Sequence, residues 1–487
     1  MPVRLFSRLV RILSPVLVLV VLAQCAVNPV TGRQELMLVS ESQEIGMGKE
    51  FYPSAMWGDV GGGGEYRDEQ LRAYLKEIVL RIHAVSHRPN LPVDFSIQNS
   101  SVPNAWAIPG HVVMTRGLLA GLQNEAEFAF VMGHEMGHVA ARHSARQMTY
   151  GIVQQIGLGA AGIALSGSEY ADLALGMGAV ASSLLLLKYS RDDELEADRL
   201  GIEYMARLGY DPRHAIQAHR NLENISRAYL ESAGKETQER VFFEDLLSTH
   251  PRTSVRIEEL QAMIGRLRTV QIAGDGTFQD RFRERTAALR NTDRIYRDFY
   301  DPAVRAFQSE RLDEAETLVG QAIAKDQRQP AFHTLKGLLA LKRKNHAAAK
   351  TSFQAALALD ERYAPAYRGL GILSYQENDY RGGIEHLNRC LSLFPRDFVA
   401  HYFMGMSYFK AGNCESAIRH LSAFADVQPK HPDVHGRLGV CYEKTGNLSS
   451  AYQSYATQVK VAPDNEMGKH AASRLAVLKP MLQKQSR

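Results

Sequence analysis

The sequence predicts a mainly α-helical domain with a small β-sheet, followed by an α-superhelical solenoid. Three observations carry this. From about residue 296 the chain repeats itself every 34 residues. Residues 51–270 do not repeat, and they mix helical apolar spacing with two short alternating stretches. Within them, FAFVMGHEMGHVAARHS at 128–144 sets two histidines four residues apart in an apolar run. At 487 residues the chain is too long for one ordinary domain. Its 45% hydrophobic and 23% charged residues are those of a folded protein. The formal charge is +4; without Arg4, Arg8 and Arg11 of the first 24 residues it falls to about +1. A near-neutral remainder gives no electrostatic case for binding nucleic acid.

The N-terminus, residues 1–24, reads as an export signal. The basic stretch MPVRLFSRLVR precedes the apolar run ILSPVLVLVVLA, too short for a membrane span and suited to a signal peptide. Leu22-Ala23-Gln24-Cys25 resembles a bacterial lipobox, although Gln24 stands where the pattern prefers Gly, Ala or Ser. That resemblance implies lipidation at Cys25 and a periplasmic protein anchored in the outer membrane. Residues 25–50, with the turn-rich NPVTGR, are expected to be a tether.

Residues 51–270 form the first domain. GDVGGGGEY at 58–66 reads as a flexible loop, and 68–86 as a helix with Leu71, Leu75, Ile78, Val79 and Ile82 inward. PVDFSIQ at 92–98 alternates like a strand. NAWAIPGHVVMTRGLL at 104–119 reads as two short strands across Pro109-Gly110 running into a helix. Residues 124–148 and 191–210 read as helices, the second stopped by Gly209 and Pro212. The Gly/Ala-rich segment 152–187 is broken by SGSEY; its two short runs suit buried or membrane-grazing helices rather than spans. Residues 271–295 are expected to be a charged linker with a helical stretch.

Beyond it, Gly337, Gly371, Gly405 and Gly439 keep the 34-residue step, as do Ala349, Gly383, Ala417 and Ala451, and Pro395, Pro429 and Pro463. Small residues let two antiparallel helices approach, and the proline stops the second. The pattern is that of tetratricopeptide repeats, five of them over 296–464, with 465–487 as a capping helix and tail. The first helix of each repeat lines the concave face of such solenoids. Arg368, Ile372, Tyr375, Tyr402, Met406, Phe409 and Lys410 then make an apolar strip with basic edges, suited to a partially folded chain or an extended partner segment; the alternative is that some of them pack between repeats. Cys390, Cys414 and Cys441 show no metal-ligand spacing; an oxidising compartment permits one disulfide and leaves one thiol over.

The histidine motif carries the chemistry. Residues i and i+4 share a helix face, so His134 and His138 can place two imidazoles on one ion. Glu135 points to the neighbouring side, within reach of a metal-bound water but not of the metal. This is the H-E-x-x-H logic of zinc peptidases: zinc acidifies the water and polarises the carbonyl, and the glutamate moves the proton. His143, five residues beyond His138, is expected to point off this face and serve structure. A catalytic zinc needs a third protein ligand and an open position. Glu194, Glu196 and Asp198 are the downstream candidates.

GHEMGHVAARH followed by YSRDDELEADRLG resembles the zinc metallopeptidase family that includes HtpX and the CAAX prenyl protease. The resemblance covers residues 28–260. It implies a zincin-like domain holding one Zn2+, with Glu194 as third ligand and Asp198 supporting a ligand imidazole; Glu196 is then expected to face solvent. LLSTHPRTSVRIEEL at 246–260 resembles the family's T-H-P segment and trailing arginine, here His250 and Arg256. In the BepA-like subgroup, which joins such a protease to repeats, the matching histidine restrains activity from a loop over the zinc. His250 is expected to do this or to stabilise an oxyanion, and Arg256 to anchor the loop on a carboxylate. Asn104, Ala105, Trp106 and Ala107 resemble the edge strand to which extended substrate adds. The resemblance thus implies an envelope endopeptidase acting on unfolded or misassembled outer-membrane proteins, with the outer-membrane protein assembly machinery as a possible partner. The alternative is a chaperone-like assembly factor whose protease site is mostly latent. Without several membrane spans, a prenylated substrate is not expected.

Overall fold

The computed structural model describes residues 25–59, 63–150, 189–233, 254–267 and 271–485. The signal at 1–24, the apolar segment 152–187 and His250 lie outside the described residues. No described helix is long and apolar enough to cross a membrane. The chain divides into two compact units, Met1–Arg294 and Ile295–Arg487.

In the first unit the expected tether is folded. β1 (Cys25–Val27) and β2 (Gln34–Leu36) pair antiparallel. Asn28 makes the turn between them, its Oδ1 accepting from the Val30 and Thr31 amides. α1 (Glu41–Ser54) starts on a capping box formed by Ser40 and Gln43. α2 (Glu69–Ala84) is capped by Asp68 and buries Leu71, Leu75, Ile78, Val79 and Ile82. The sheet has the order β3-β5-β4: β3 (Val93–Gln98) runs parallel to β5 (Gly110–Thr115), and β4 (Ala105–Ile108) antiparallel to it. The β4–β5 turn falls at Gly110, whose φ of 102° suits glycine. α3 (Arg116–Gly121) follows directly.

Strand alternation divides the core. Phe95, Ile97, Ala105, Val112 and Met114 join one cluster with Leu75, Phe128 and Met132. Trp106, Ile108 and Val113 join a second with Phe51, Met56 and Tyr229. α4 (Glu125–Ala140), capped by Asn124, lies against β4, α2 and two further helices, α5 (Arg191–Arg207) and α6 (His214–Ala233). α7 (Ser254–Arg266) packs on α5 and α6.

Residues 271–295 are not a free linker. They hold α8 (Gln279–Ile295), whose Phe282 and Leu289 are fully buried in the first cluster. Asp293 forms a buried ion pair with Arg116. The high charge of this stretch hid an amphipathic face.

In the second unit the described residues form five helix pairs and a last helix. These are α9 (Asp301–Gln308) with α10 (Leu312–Lys325), α11 (Pro330–Lys342) with α12 (His346–Leu359), and α13 (Ala364–Gln376) with α14 (Tyr380–Leu393). Then come α15 (Phe398–Lys410) with α16 (Cys414–Val427), α17 (Val434–Lys444) with α18 (Leu448–Val461), and α19 (Glu466–Gln485). The repeated glycines sit where pairs close: a Cβ on Gly337, Gly371, Gly405 or Gly439 would strike Phe353, Leu387, Leu421 or Tyr455 within 2.7 Å. Pro395, Pro429 and Pro463 each fall two residues past a second helix. Cys390, Cys414 and Cys441 are free thiols, all buried.

Candidate metal centre

α4 and α5 approach unusually closely, because the residues between them are small. A Cβ on Gly133 would lie 3.1 Å from Gly201 Cα, and one on Gly137 would lie 3.2 Å from Ala197 Cα. This contact brings the acidic start of α5 up to the histidines of α4. His134 Nε2 and His138 Nε2 are 3.1 Å apart. Glu194 puts Oε1 3.4 Å from His138 Nε2 and Oε2 3.7 Å from His134 Nε2. One ligand atom from each of the three lies within 4.8 Å of the others, and all three residues are buried.

The outer nitrogens fix which way the lone pairs point. His134 Nδ1 lies 2.9 Å from Asp198 Oδ1. Arg256, on α7, donates to Asp198 through Nε and Nη2, both at 2.7 Å, and its Nη1 lies 2.6 Å from Glu194 Oε2. Burial pushes the Asp198 carboxyl up, but Arg256, His134 and His219 outweigh it and hold it well below the ordinary 3.8. An ionised Asp198 accepts a hydrogen bond from His134 Nδ1–H, leaving a lone pair on Nε2. The other side is a relay. Glu196 Oε2 lies 3.1 Å from His143 Nε2, and His143 Nδ1 lies 2.8 Å from His138 Nδ1. If His143 donates to Glu196, its Nδ1 accepts from His138, and His138 Nε2 also keeps its lone pair. Burial keeps both ligand imidazoles neutral, lowering His134 despite Asp198 and His138 further still despite Glu194.

Two inward lone pairs at 3.1 Å with a carboxylate beside them repel one another unless a cation lies between. The donor set of two imidazoles and one carboxylate is that of a catalytic zinc site. These residues fit a metal ion.

Glu135 is buried on the neighbouring side of α4. Tyr189, just before α5, stacks on His138 with ring centres 4.0 Å apart, and its hydroxyl lies 2.8 Å from Ser144 Oγ. His219, on α6, lies 3.4 Å from Asp198 Oδ1. Sequence reasoning gave none of Tyr189, His219 or His143 a part in the site. His143 and Glu196 correct the expectation directly. α4 ends at Ala140, and Arg142 takes a left-handed φ of 58°, so His143 turns back under His138 instead of continuing off the face. Glu196 consequently pairs with His143 and is not free in solvent. The third histidine of HEMGHVAARH was a usable signal; the turn at Arg142, with no Gly or Pro to announce it, was not.

Among the described residues β4 pairs on one side only, with β5. Asn104 precedes it and binds Thr115 through its amide and carbonyl. Trp106 is a core side chain, with Nε1 donating to Gln98 Oε1 at 3.3 Å. Whatever the edge offers lies in its backbone.

The expected repeat groove is largely internal packing. Ile372 and Met406 are buried in inter-helix clusters, and Tyr375, Tyr402 and Phe409 pack partly buried against one of them. Arg368 pairs with Asp397 at 2.8 Å. Arg437 covers the Phe409 ring, and Lys410 is exposed. This is the alternative of packing between repeats: successive repeats bury first-helix positions against each other, to an extent that one helix wheel does not reveal.

Fold and site together define a metallopeptidase domain joined to a repeat solenoid. Residues 69–264 match Peptidase family M48, and residues 300–360 and 402–465 match the tetratricopeptide repeat family. The chain thus carries an M48 metallopeptidase domain followed by tetratricopeptide repeats. It is 33% identical to the mitochondrial metalloendopeptidase OMA1 of Arabidopsis thaliana over 34% of this chain and 31% of that protein. It is 30% identical to the beta-barrel assembly-enhancing protease of Escherichia coli over 36% of each chain. It is 28% identical to the metalloprotease YcaL of Escherichia coli over 36% of this chain and 63% of that protein. The matches span about a third of the first two relatives and under two thirds of the third.

Proposed function

We propose that this chain is a zinc-dependent endopeptidase of the bacterial cell envelope that cuts misfolded or misassembled outer-membrane proteins. The observation that carries the reading is the convergence of His134 Nε2, His138 Nε2 and Glu194 beside Glu135. Zinc held by those three residues supplies Lewis acidity, which acidifies water and polarises a carbonyl. Glu135 takes the proton of the attacking water on a carboxylate oxygen and delivers it to the leaving amine nitrogen. Asp198 holds the His134 Nδ1 proton, and Arg256 balances the charge of Asp198 and Glu194.

Extended substrate adds along Asn104–Ala107 as a further strand. Such pairing reads backbone rather than side chains, so it suits unfolded chains. His250 precedes Arg256 by six residues and restrains the site or steadies the oxyanion. Export, lipidation at Cys25 and an outer-membrane anchor follow from the signal-like N-terminus. The repeats hold substrate or an assembly partner.

The test compares wild type, Glu135→Gln and His250→Ala on casein, with zinc content measured on each. Glu135→Gln keeps about one zinc per chain and loses cleavage by about 10²–10⁴-fold. Retained cleavage in Glu135→Gln sinks the hydrolytic reading. If Glu135→Gln also rescues a deletion strain while a chain lacking 296–487 does not, the chaperone-like reading takes its place. A gain in His250→Ala supports restraint, and a loss supports the oxyanion part.

A further inference from the structure

Residues 28–44 wrap the end of α4 where the metal-ligand helix reverses. Arg142 is the pivot of that reversal, at a φ of 58°. An L-residue occupies this region only at a cost that glycine avoids, so something must hold Arg142 there. The N-terminal segment does. Arg142 Nη2 donates to the Val39 carbonyl at 2.8 Å, and Nε donates to Glu44 Oε2 at 3.1 Å. Glu44 is 4% exposed and also accepts from Arg88 Nη2 at 3.1 Å, while Arg88 Nη1 donates to the Val139 carbonyl at 2.8 Å. Beyond the turn the Leu38 amide donates to Thr149 Oγ1 at 3.0 Å, and Glu35 pairs with Arg146 at 3.5 Å. The residue placed by the turn is His143, whose Nδ1 meets His138 Nδ1 at 2.8 Å.

We propose that the N-terminal segment is a strap that sets the orientation of the His138 imidazole, acting through Glu44, Arg142 and His143. Glu44 is a positioning residue: it touches neither metal nor substrate. The proposal rests on the reading of His138 as a metal ligand. Its chemistry is that of an outer partner tuning an inner ligand, one step further out than usual. Without Glu44, two guanidiniums lose their shared carboxylate, the left-handed turn relaxes, and His143 no longer fixes the His138 tautomer.

The test uses the full-length chain, reading zinc affinity by competition with a chromophoric chelator and the visible absorption of the cobalt(II)-substituted protein. Glu44→Ala weakens zinc binding about tenfold or more and shifts the cobalt bands. The double variant Glu44→Ala/Arg142→Gly, in which glycine takes the turn unaided and no guanidinium is left unpaired there, recovers affinity relative to Glu44→Ala. Wild-type affinity and spectrum in Glu44→Ala overturn the strap, as does a double variant no better than the single. Should circular dichroism show Glu44→Ala unfolded, Glu44→Gln is read by the same measures, with wild-type values again overturning the proposal. A wild-type chain that binds no zinc overturns the metal reading itself, which separates that failure from failure of the strap.

Discussion

Arg256 grips Asp198 through two parallel hydrogen bonds, Nε to Oδ2 and Nη2 to Oδ1, both 2.7 Å long. The same guanidinium reaches Glu194, so one cation from α7 balances two carboxylates of α5. Removing it leaves two buried negative charges with less compensation, a loss of about 3–5 kcal/mol by analogy with broken buried pairs. Arg256→Ala is therefore expected to unfold at lower denaturant. Trp57 and Trp106, the chain's two tryptophans, both lie in the first unit, so their fluorescence reads this transition. Arg256→Lys recovers only part of the loss, because a single ammonium cannot reproduce the forked contact. Equal midpoints for Arg256→Ala and wild type would remove Arg256 from this account.

The close contact of α4 with α5 makes a second prediction. Gly137 has Ala197 Cα, Ala197 O and Leu200 Cβ each 3.2 Å from where a Cβ would stand. Gly137→Val must force the helices apart, at an overpacking cost of about 1–3 kcal/mol. It also carries Glu194 away from the two imidazoles. Zinc affinity is expected to fall at least as much as stability does. A variant that loses stability but binds zinc like wild type would show that the glycine serves packing alone.

The helices, the three-stranded sheet and the repeat period were legible because each has its own periodicity. His134, His138 and Glu194 were gathered from spacing and family resemblance, and the structure brings the same three together. What escaped depended on chain reversals and on partners distant in sequence. His143 was set aside because a helix wheel assumes that the helix continues, whereas α4 stops three residues earlier, at Ala140. α8 was read only as a helical stretch within a linker, because its charge conceals the burial of Phe282 and Leu289. Residues 25–50 read as tether because short strands and a polar helix carry little apolar signal, although Glu44, Val39 and Asn28 lock them onto the end of α4.

Burial depresses both ligand imidazoles below the ordinary 6.5, so the metal-free folded chain resists taking up protons that the unfolded chain accepts. As pH falls below about 6.5 the unfolded state binds more protons, and stability drops. Asp198 acts in a lower window. Its carboxyl is depressed well below 3.8, so its contribution is complete above that pH and is lost only as pH falls through the lower value. Between about pH 6.5 and 4 the acid loss belongs to the histidines rather than to Asp198. Zinc affinity falls in the same window, since protons compete for both Nε2 atoms. Titrating the apo-protein's melting temperature checks this: His138→Gln is expected to flatten the slope between pH 6.5 and 5. An unchanged slope would mean that His138 is not buried neutral.

The repeats allow a test of packing against conformational freedom with one residue type. Gly405 lies where α15 crosses α16, and a Cβ there would meet Leu421 Cγ at 2.7 Å and the Leu421 amide nitrogen at 3.0 Å. The backbone atom cannot step aside, so Gly405→Ala costs about 1–3 kcal/mol. Gly320 lies inside α10 with nothing within 4 Å of its would-be Cβ. Gly320→Ala should stabilise by about 0.5–1 kcal/mol, because alanine gives up less backbone freedom in a helix. Far-UV circular dichroism melts of the two full-length variants are expected to move in opposite directions. If both move down, the glycine at 320 has a contact role that the surrounding space does not reveal; if neither moves, close approach at 405 is not what sets the 34-residue glycine register.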